Sequence, residues 1–185
     1  VNQKRTFEAL PDPTQPFTGR VFRYGDDINT DVIFPGKYTY TLTTPEEVAP
    51  HALEDLDPTF VERVETGDVL VAGKNFGCGS SREQAVTCLR AVGVGAVVAR
   101  SFSRIFYRNA LNQGLLALVC PEAVDGLVEG ERVEVDLATS QLRSCQDPRR
   151  GFSFAPLSDS TVAMLEAGGL IPMVKRRLNA EREAS

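Results

Sequence analysis

Along the chain the apolar positions fall in short blocks rather than in long periodic runs. Asp68 to Ala72, Ala96 to Ala99 and Leu115 to Val119 are nearly continuous apolar stretches of strand length, the pattern of strands buried on both faces. Between them, Ala85, Cys88, Leu89 and Val92 recur at helical spacing as far as Gly93, and Ser103 to Gln113 reads as a second helix stopped by Gly114. The alternation predicts β–α units. Further on, Arg132 to Leu137 alternates charged and apolar residues. With Gln141 to Cys145 it predicts an antiparallel hairpin, and a helical stretch from about Ser158 to Leu178 follows.

The first third is more punctuated. Pro11, Pro13 and Pro16 among polar residues predict an extended arm over residues 1–18. Arg20 to Tyr24 and Asp31 to Phe34 read as two short strands flanking the polar loop 25–30 and ending at the turn Pro35-Gly36. Thr44-Pro45-Glu46-Glu47 has a capping residue, a proline at the first helical position and a glutamate at the third, so a helix starts there and runs towards His51. Asp57-Pro58 predicts a further helix start of the same kind.

At 185 residues the chain can bury one substantial core. The expected organisation is an arm (1–18), one domain (19–178) and a short tail (179–185). A net charge of −5 argues against a non-specific grip on nucleic acid, which needs a basic face. No apolar run approaches the roughly 18–20 residues of a membrane span, and the polar, proline-rich start has no secretory pattern, so the expected location is cytoplasmic. Cys78, Cys88, Cys120 and Cys145 are widely spaced without a C-x-x-C pair, so no metal or cluster site is read in this chain and no disulfide framework is expected. Cys88 and Cys120 fall on apolar faces and are expected in the core, and Cys78 reads as a small loop residue.

The segment 73–83, glycine-rich and placed between a strand and a helix, is the candidate for chemistry. It is not a nucleotide loop. A phosphate loop from Gly73 needs glycine where Cys78 stands, followed by lysine and a hydroxyl residue; a dinucleotide loop from Gly77 needs glycine where Arg82 stands. A serine-hydrolase elbow around Ser81 fails at Glu83. What remains is Gly77 and Gly79 turning the backbone so that Ser80, Ser81 and Arg82 fall at the first turn of a helix. Free amides, the positive helix end and a guanidinium fork there suit a carboxylate. The plain alternative is a serine cap beside a solvated arginine. For His51 a structural place is expected, and for Arg104 and Arg108 a solvated helix face or a contact with another subunit.

The run from Lys74 to Ala85, K-N-F-G-C-G-S-S-R-E-Q-A, resembles the signature of the aconitase swivel domain found in small subunits of isopropylmalate dehydratases and homoaconitases. Gly25 to Ile33 with Pro35-Gly36-Lys37-Tyr38 is similar to that family's opening motif, and Ser101 to Ala110 to its next helix. Together the resemblance covers about 19–178. It implies a swivelling β/β/α domain of α/β class, with a mixed sheet and flanking helices. It also implies a hydro-lyase subunit in which Ser80 is the base, Ser81 its neighbour and Arg82 the carboxylate-binding arginine. Gly79 and the loop Lys37, Tyr38, Thr39, Tyr40, Thr41 and Leu42 would face the substrate, and Asp31 would orient active-site groups or brace its loop.

The implied partner is a large subunit carrying a [4Fe-4S] cluster, in a heteromer acting on a small hydroxy-diacid. This chain would hold no cofactor itself. With no arginine in the loop and Tyr38, Tyr40 and Leu42 available as an apolar lining, isopropylmalate in leucine biosynthesis is favoured over homocitrate or homoaconitate; the alternative is the small subunit of a homoaconitase or of another hydroxy-diacid dehydratase of the methylmalate or citramalate type. A non-catalytic organic-anion module is the alternative of another class. A regulatory RNA-binding role is disfavoured by the acidic balance.

Overall fold

The computed structural model describes residues 10–183; residues 1–9 of the expected arm and residues 184–185 lie outside it. Seven strands form one mixed sheet, in the order β4-β3-β2-β1-β5-β6-β7. Strands β1 (Phe17–Arg23), β2 (Val69–Ala72), β3 (Ala96–Ala99) and β4 (Leu116–Val119) run parallel. Strands β5 (Arg132–Asp136), β6 (Gln141–Ser144) and β7 (Gly151–Ser153) continue antiparallel from the other side of β1.

Alternate side chains of the parallel strands enter two separate cores. Leu70, Ala72, Val97, Ala99 and Ala117 face one core with Phe22, Phe34, Phe60, Phe76 and Phe106. Val69, Val71, Val98, Leu116 and Leu118 face the other with Val133, Val135, Leu142 and Phe154. Burial on both faces is why these strands read as unbroken apolar runs.

Eight α-helices accompany the sheet among the described residues: α1 (Thr30–Ile33), α2 (Pro45–Val48), α3 (Phe60–Arg63), α4 (Glu83–Ala91), α5 (Arg104–Asn112), α6 (Pro121–Gly126), α7 (Asp159–Glu166) and α8 (Leu170–Glu183). The capping box at Thr44 is present, with Glu47 returning a bond to the Thr44 amide. Helix α5 is capped by Ser103, and α4 buries Ala85, Val86, Cys88 and Leu89. Cys88 and Cys120 lie in the core.

Several expectations are corrected. Asp31 to Phe34 is not a strand: Asn29 accepts a bond from the Val32 amide and starts the short helix α1, so local capping overrides the β-like run Val-Ile-Phe. Asp57 does not cap α3, which follows Thr59; its carboxylate instead accepts from Tyr24, Thr59 and Arg63. The helical stretch after Ser158 is broken at Gly168-Gly169, both at positive φ, into α7 and α8. Helix α8 continues to Glu183 through the expected tail. Strand β1 begins at Phe17, inside the expected arm, because Phe17 is buried and paired with Val135.

Candidate active site

The loop 73–82 leaves the end of β2 and is held from two sides. The amide of Gly77 donates to Ile28 O (2.7 Å) and that of Thr30 to Cys78 O (2.8 Å), so Asn29 and Cys78 form a parallel bridge beyond the sheet. A second bridge joins Phe76 to Phe102, with Phe76 N to Ser101 O at 3.0 Å and Ser103 N to Phe76 O at 2.9 Å. Asp26 takes the Lys74 amide (2.6 Å), and Asn75 Nδ2 donates to Asp27 (2.8 Å). Three loops, all at the same end of the parallel strands, are therefore one hydrogen-bonded assembly.

Gly77 is required for this. Its φ is +77°, and a Cβ there would lie 2.1 Å from Cγ of Phe106. Gly79, also at positive φ, turns the chain outward so that Gly79, Ser80 and Ser81 are exposed. Beneath them Thr30, buried, donates from Oγ1 to Ser80 O (2.9 Å) and lies 3.3 Å from Ser80 Oγ. No carboxylate, imidazole or amine is bonded to either serine among the described residues.

The serines are not in the first helical turn, as their sequence position predicts. Helix α4 starts at Glu83 with Arg82 as its N-cap and no side-chain cap, and the Arg82 amide donates to Ser80 O (2.9 Å). They stand on the loop just ahead of an uncapped helix end, where free amides and the helix dipole still favour negative charge. The half-buried Arg82 side chain turns back across Gly36 and forms an ion pair with Asp31. A Cβ on Gly36 would meet Arg82 Nη1 at 2.8 Å. That Nη1 is buried and is the atom that faces Asp31. Ser80, Ser81, Gly79, Arg82 and Asp31 are thus brought together.

The loop 37–44 also reaches this region. Gln84 Nε2 bonds Thr39 O (3.4 Å), and Thr43, Ser81, Gln84 and Asn109 share a polar pocket of about 360 Å3. Tyr38, Tyr40 and Leu42 do not form a common pocket within this chain. Tyr38 and Leu42 pack against the core, while Tyr40 is 95% exposed. Lys37 and Tyr38 are bonded to Glu54, and the Tyr38 ring lies on His51. His51 is therefore structurally engaged. A larger cavity, about 540 Å3, is lined by Pro11, Arg90, Gly114 and Leu165 and includes no residue of the serine loop.

Sequence reasoning left out Thr30 as a support of Ser80, although it lies inside the opening motif. It also left out Glu54, for which spacing offers no signal. Arg104 and Arg108 are exposed on α5. Among the described residues no three His, Cys, Asp or Glu side chains converge to hold a metal. Cys88 and Cys120 are in the core, Cys145 is exposed and only Cys78 lies on the serine loop, so these cysteines do not fit an iron–sulfur cluster. No helix is long and apolar enough to cross a membrane among the described residues.

Residues 24–123 match the aconitase C-terminal domain family. A 3-isopropylmalate dehydratase small subunit 1 of Methanopyrus kandleri is 51% identical over 158 residues, 85% of this chain and 92% of that one. The small subunit of Caldicellulosiruptor bescii is 48% identical over 165 residues, 89% and 98% of the two chains. The crystal structure of 3-isopropylmalate dehydratase from Methanocaldococcus jannaschii superposes with a TM-score of 0.86 at 38% identity, covering 92% of this chain and all of that one. An exposed serine pair beside a braced arginine, on a fold shared almost end to end with these proteins, places the chain in the family of 3-isopropylmalate dehydratase small subunits, within the aconitase C-terminal domain family.

Proposed function

We propose that this chain is the small subunit of a cytoplasmic hydro-lyase that interconverts 2- and 3-isopropylmalate in leucine biosynthesis, active only with a large subunit. The observation that carries the reading is the serine loop, exposed and bonded to Thr30, beside an arginine held in place by Asp31. It is half of a site. Among the described residues no carboxylic acid, imidazole or ammonium is bonded to either serine, and the four cysteines do not converge, so this reading places the acid for the departing hydroxyl and the iron–sulfur cluster on the large subunit.

In this reading the Arg82 fork binds one substrate carboxylate and fixes its plane, while Asp31 holds the guanidinium over Gly36. Ser80, in its alkoxide form, then takes the proton from the carbon beside that carboxylate and becomes the hydroxyl, while the C–H electron pair forms the double bond. Thr30 keeps the serine in place, and the uncapped end of α4 favours the alkoxide. Hydroxyl leaves from the adjacent carbon on the partner's side, and water returns in the opposite register, with Ser80 giving the proton back. The loop Lys37 to Leu42, which contains no arginine, faces the variable group, so an apolar branched substituent suits it better than a further carboxylate.

The test is Ser80→Ala in the enzyme reconstituted from both subunits. Turnover is expected to fall by roughly a hundredfold or more, with melting temperature and subunit assembly unchanged, because the Ser80 side chain is exposed. Near-normal turnover overturns the assignment of the base.

A further inference from the structure

Glu54 lies outside every motif of the sequence, three residues beyond His51, yet its carboxylate gathers three side chains. Oε1 accepts from Lys37 Nζ at 2.7 Å and from Tyr38 OH at 3.2 Å, and Oε2 is bonded to His51 Nδ1 at 2.5 Å. The rings of Tyr38 and His51 are in contact, with centroids 4.0 Å apart and planes tilted by 35°, and the Lys37 ammonium stands 4.8 Å over the Tyr38 ring. The hydrogen bond from Lys37, then that from His51, hold the Glu54 carboxyl down to about 2, so it is charged at any pH near neutrality.

The energy of this cluster is modest, because Lys37 and Glu54 are 55% and 31% exposed and exposed ion pairs contribute about 0–1 kcal/mol. Its geometric effect is larger. The amides of Thr41 and Leu42 both donate to Tyr38 O, at 3.1 and 3.0 Å, so the loop is folded around the residue that Glu54 holds. On the other side Lys37 follows Gly36 directly, and Gly36 is the platform over which Arg82 lies. A continuous set of contacts therefore runs from Glu54 through Lys37 and Tyr38 to the loop tip at Tyr40 in one direction and to the Arg82 guanidinium in the other.

We infer that Glu54 is the positioning residue of the substrate-facing loop. Through Lys37, Tyr38 and His51 it sets the distance between the wall that meets the substrate's branched apolar group and the arginine that holds its carboxylate. Glu54 touches no substrate. The inference rests on the reading of Lys37 to Leu42 as the loop that faces the variable group.

The experiment uses the tag-free reconstituted heteromer with Glu54→Gln, and with Glu54→Asp as a shorter carboxylate that does not reach all three partners. Steady-state constants are measured for 2-isopropylmalate and for 2-methylmalate, which has the same diacid frame and a methyl substituent. For Glu54→Gln the expected result is a KM for isopropylmalate about tenfold higher with kcat within threefold. Preference for isopropyl over methyl should fall by about tenfold, and Glu54→Asp should lie between.

In the free chain, His51 is the only histidine, so its ring-proton signals report directly on the Tyr38 stack and should lose their ring-current shift in Glu54→Gln. Lost stacking with unchanged KM and preference overturns the inference, as does unchanged stacking. Tyr40→Ala and Leu42→Ala separate the two levels. If they alter preference while Glu54→Gln does not, the positioning role alone fails; if they leave preference unchanged, the loop reading fails and this inference with it.

Discussion

The antiparallel half of the sheet and the loop end of its parallel half use their polar groups in different ways. In the antiparallel half they close on themselves. Glu131, buried, accepts from Ser144, from the Val128 amide (3.1 Å) and from Arg150 (2.9 Å), and Asp136 accepts from Thr139 (2.7 Å). Burial would raise the Glu131 carboxyl, but these bonds outweigh it and keep the group below the usual range. In the parallel half β2 and β3 are apolar on both faces; ahead of β2 the buried Asp68 accepts from the Arg20 and Glu65 amides, while at the opposite end of the strands polar bonds join loop to loop and leave Ser80 and Ser81 open. The antiparallel half is closed, and the loop end of the parallel half presents the candidate site, at the edge to which parallel strands send successive loops.

The comparison is broken most severely at Gly77. Gly77→Ala drives a methyl into the Phe106 ring at a backbone angle that disfavours it. It should cost about 3 kcal/mol in urea unfolding of the chain and remove nearly all turnover of the reconstituted enzyme, since the core contact and the serine loop share this residue. Retained turnover would mean that the loop tolerates displacement.

Arg150→Ala tests the other half. It takes the cation from a carboxylate that is 4% exposed and should cost about 2 kcal/mol of unfolding free energy, less than a fully buried pair because Arg150 itself is partly solvated. Turnover per folded heteromer should stay within about twofold, and a larger loss would show that the halves are not independent. The smallest effect on stability is expected for Thr30→Val, which keeps the side-chain shape and removes the bond to Ser80 O. Stability should drop by about 1 kcal/mol while turnover falls about fivefold. An equal effect on isolated-chain stability with no change in turnover would make Thr30 a scaffold residue only.

The parallel half was also the legible one. Its strands and helices follow from apolar runs and glycine stops because burial on both faces leaves little freedom in composition. Strand β7 escapes such reading: Gly151-Phe152-Ser153 is too short to show alternation and exists only through its pairing with β6. Helix α1 was misread because Val-Ile-Phe favours a strand, whereas one side-chain bond from Asn29 decides for a helix. Of the site, Ser80, Ser81, Arg82 and Asp31 were visible as residues. The cross-chain supports were not: Thr30 lies fifty residues from Ser80 and Glu54 sixteen from Tyr38, and spacing along a chain carries no record of such contacts.

The two parallel bridges that carry the strand ladder past the sheet, Asn29 to Cys78 and Phe76 to Phe102, have a consequence for association. When two bodies close around a small diacid, each mobile segment that must be ordered subtracts from the affinity. Here the base of the serine-bearing loop is already held by backbone bonds, from Gly77 to Ile28 and from Thr30 to Cys78. In the proposed reading less entropy is then lost from this side on closure, and more of the attraction between Arg82 and a substrate carboxylate is left for aligning the reacting carbon.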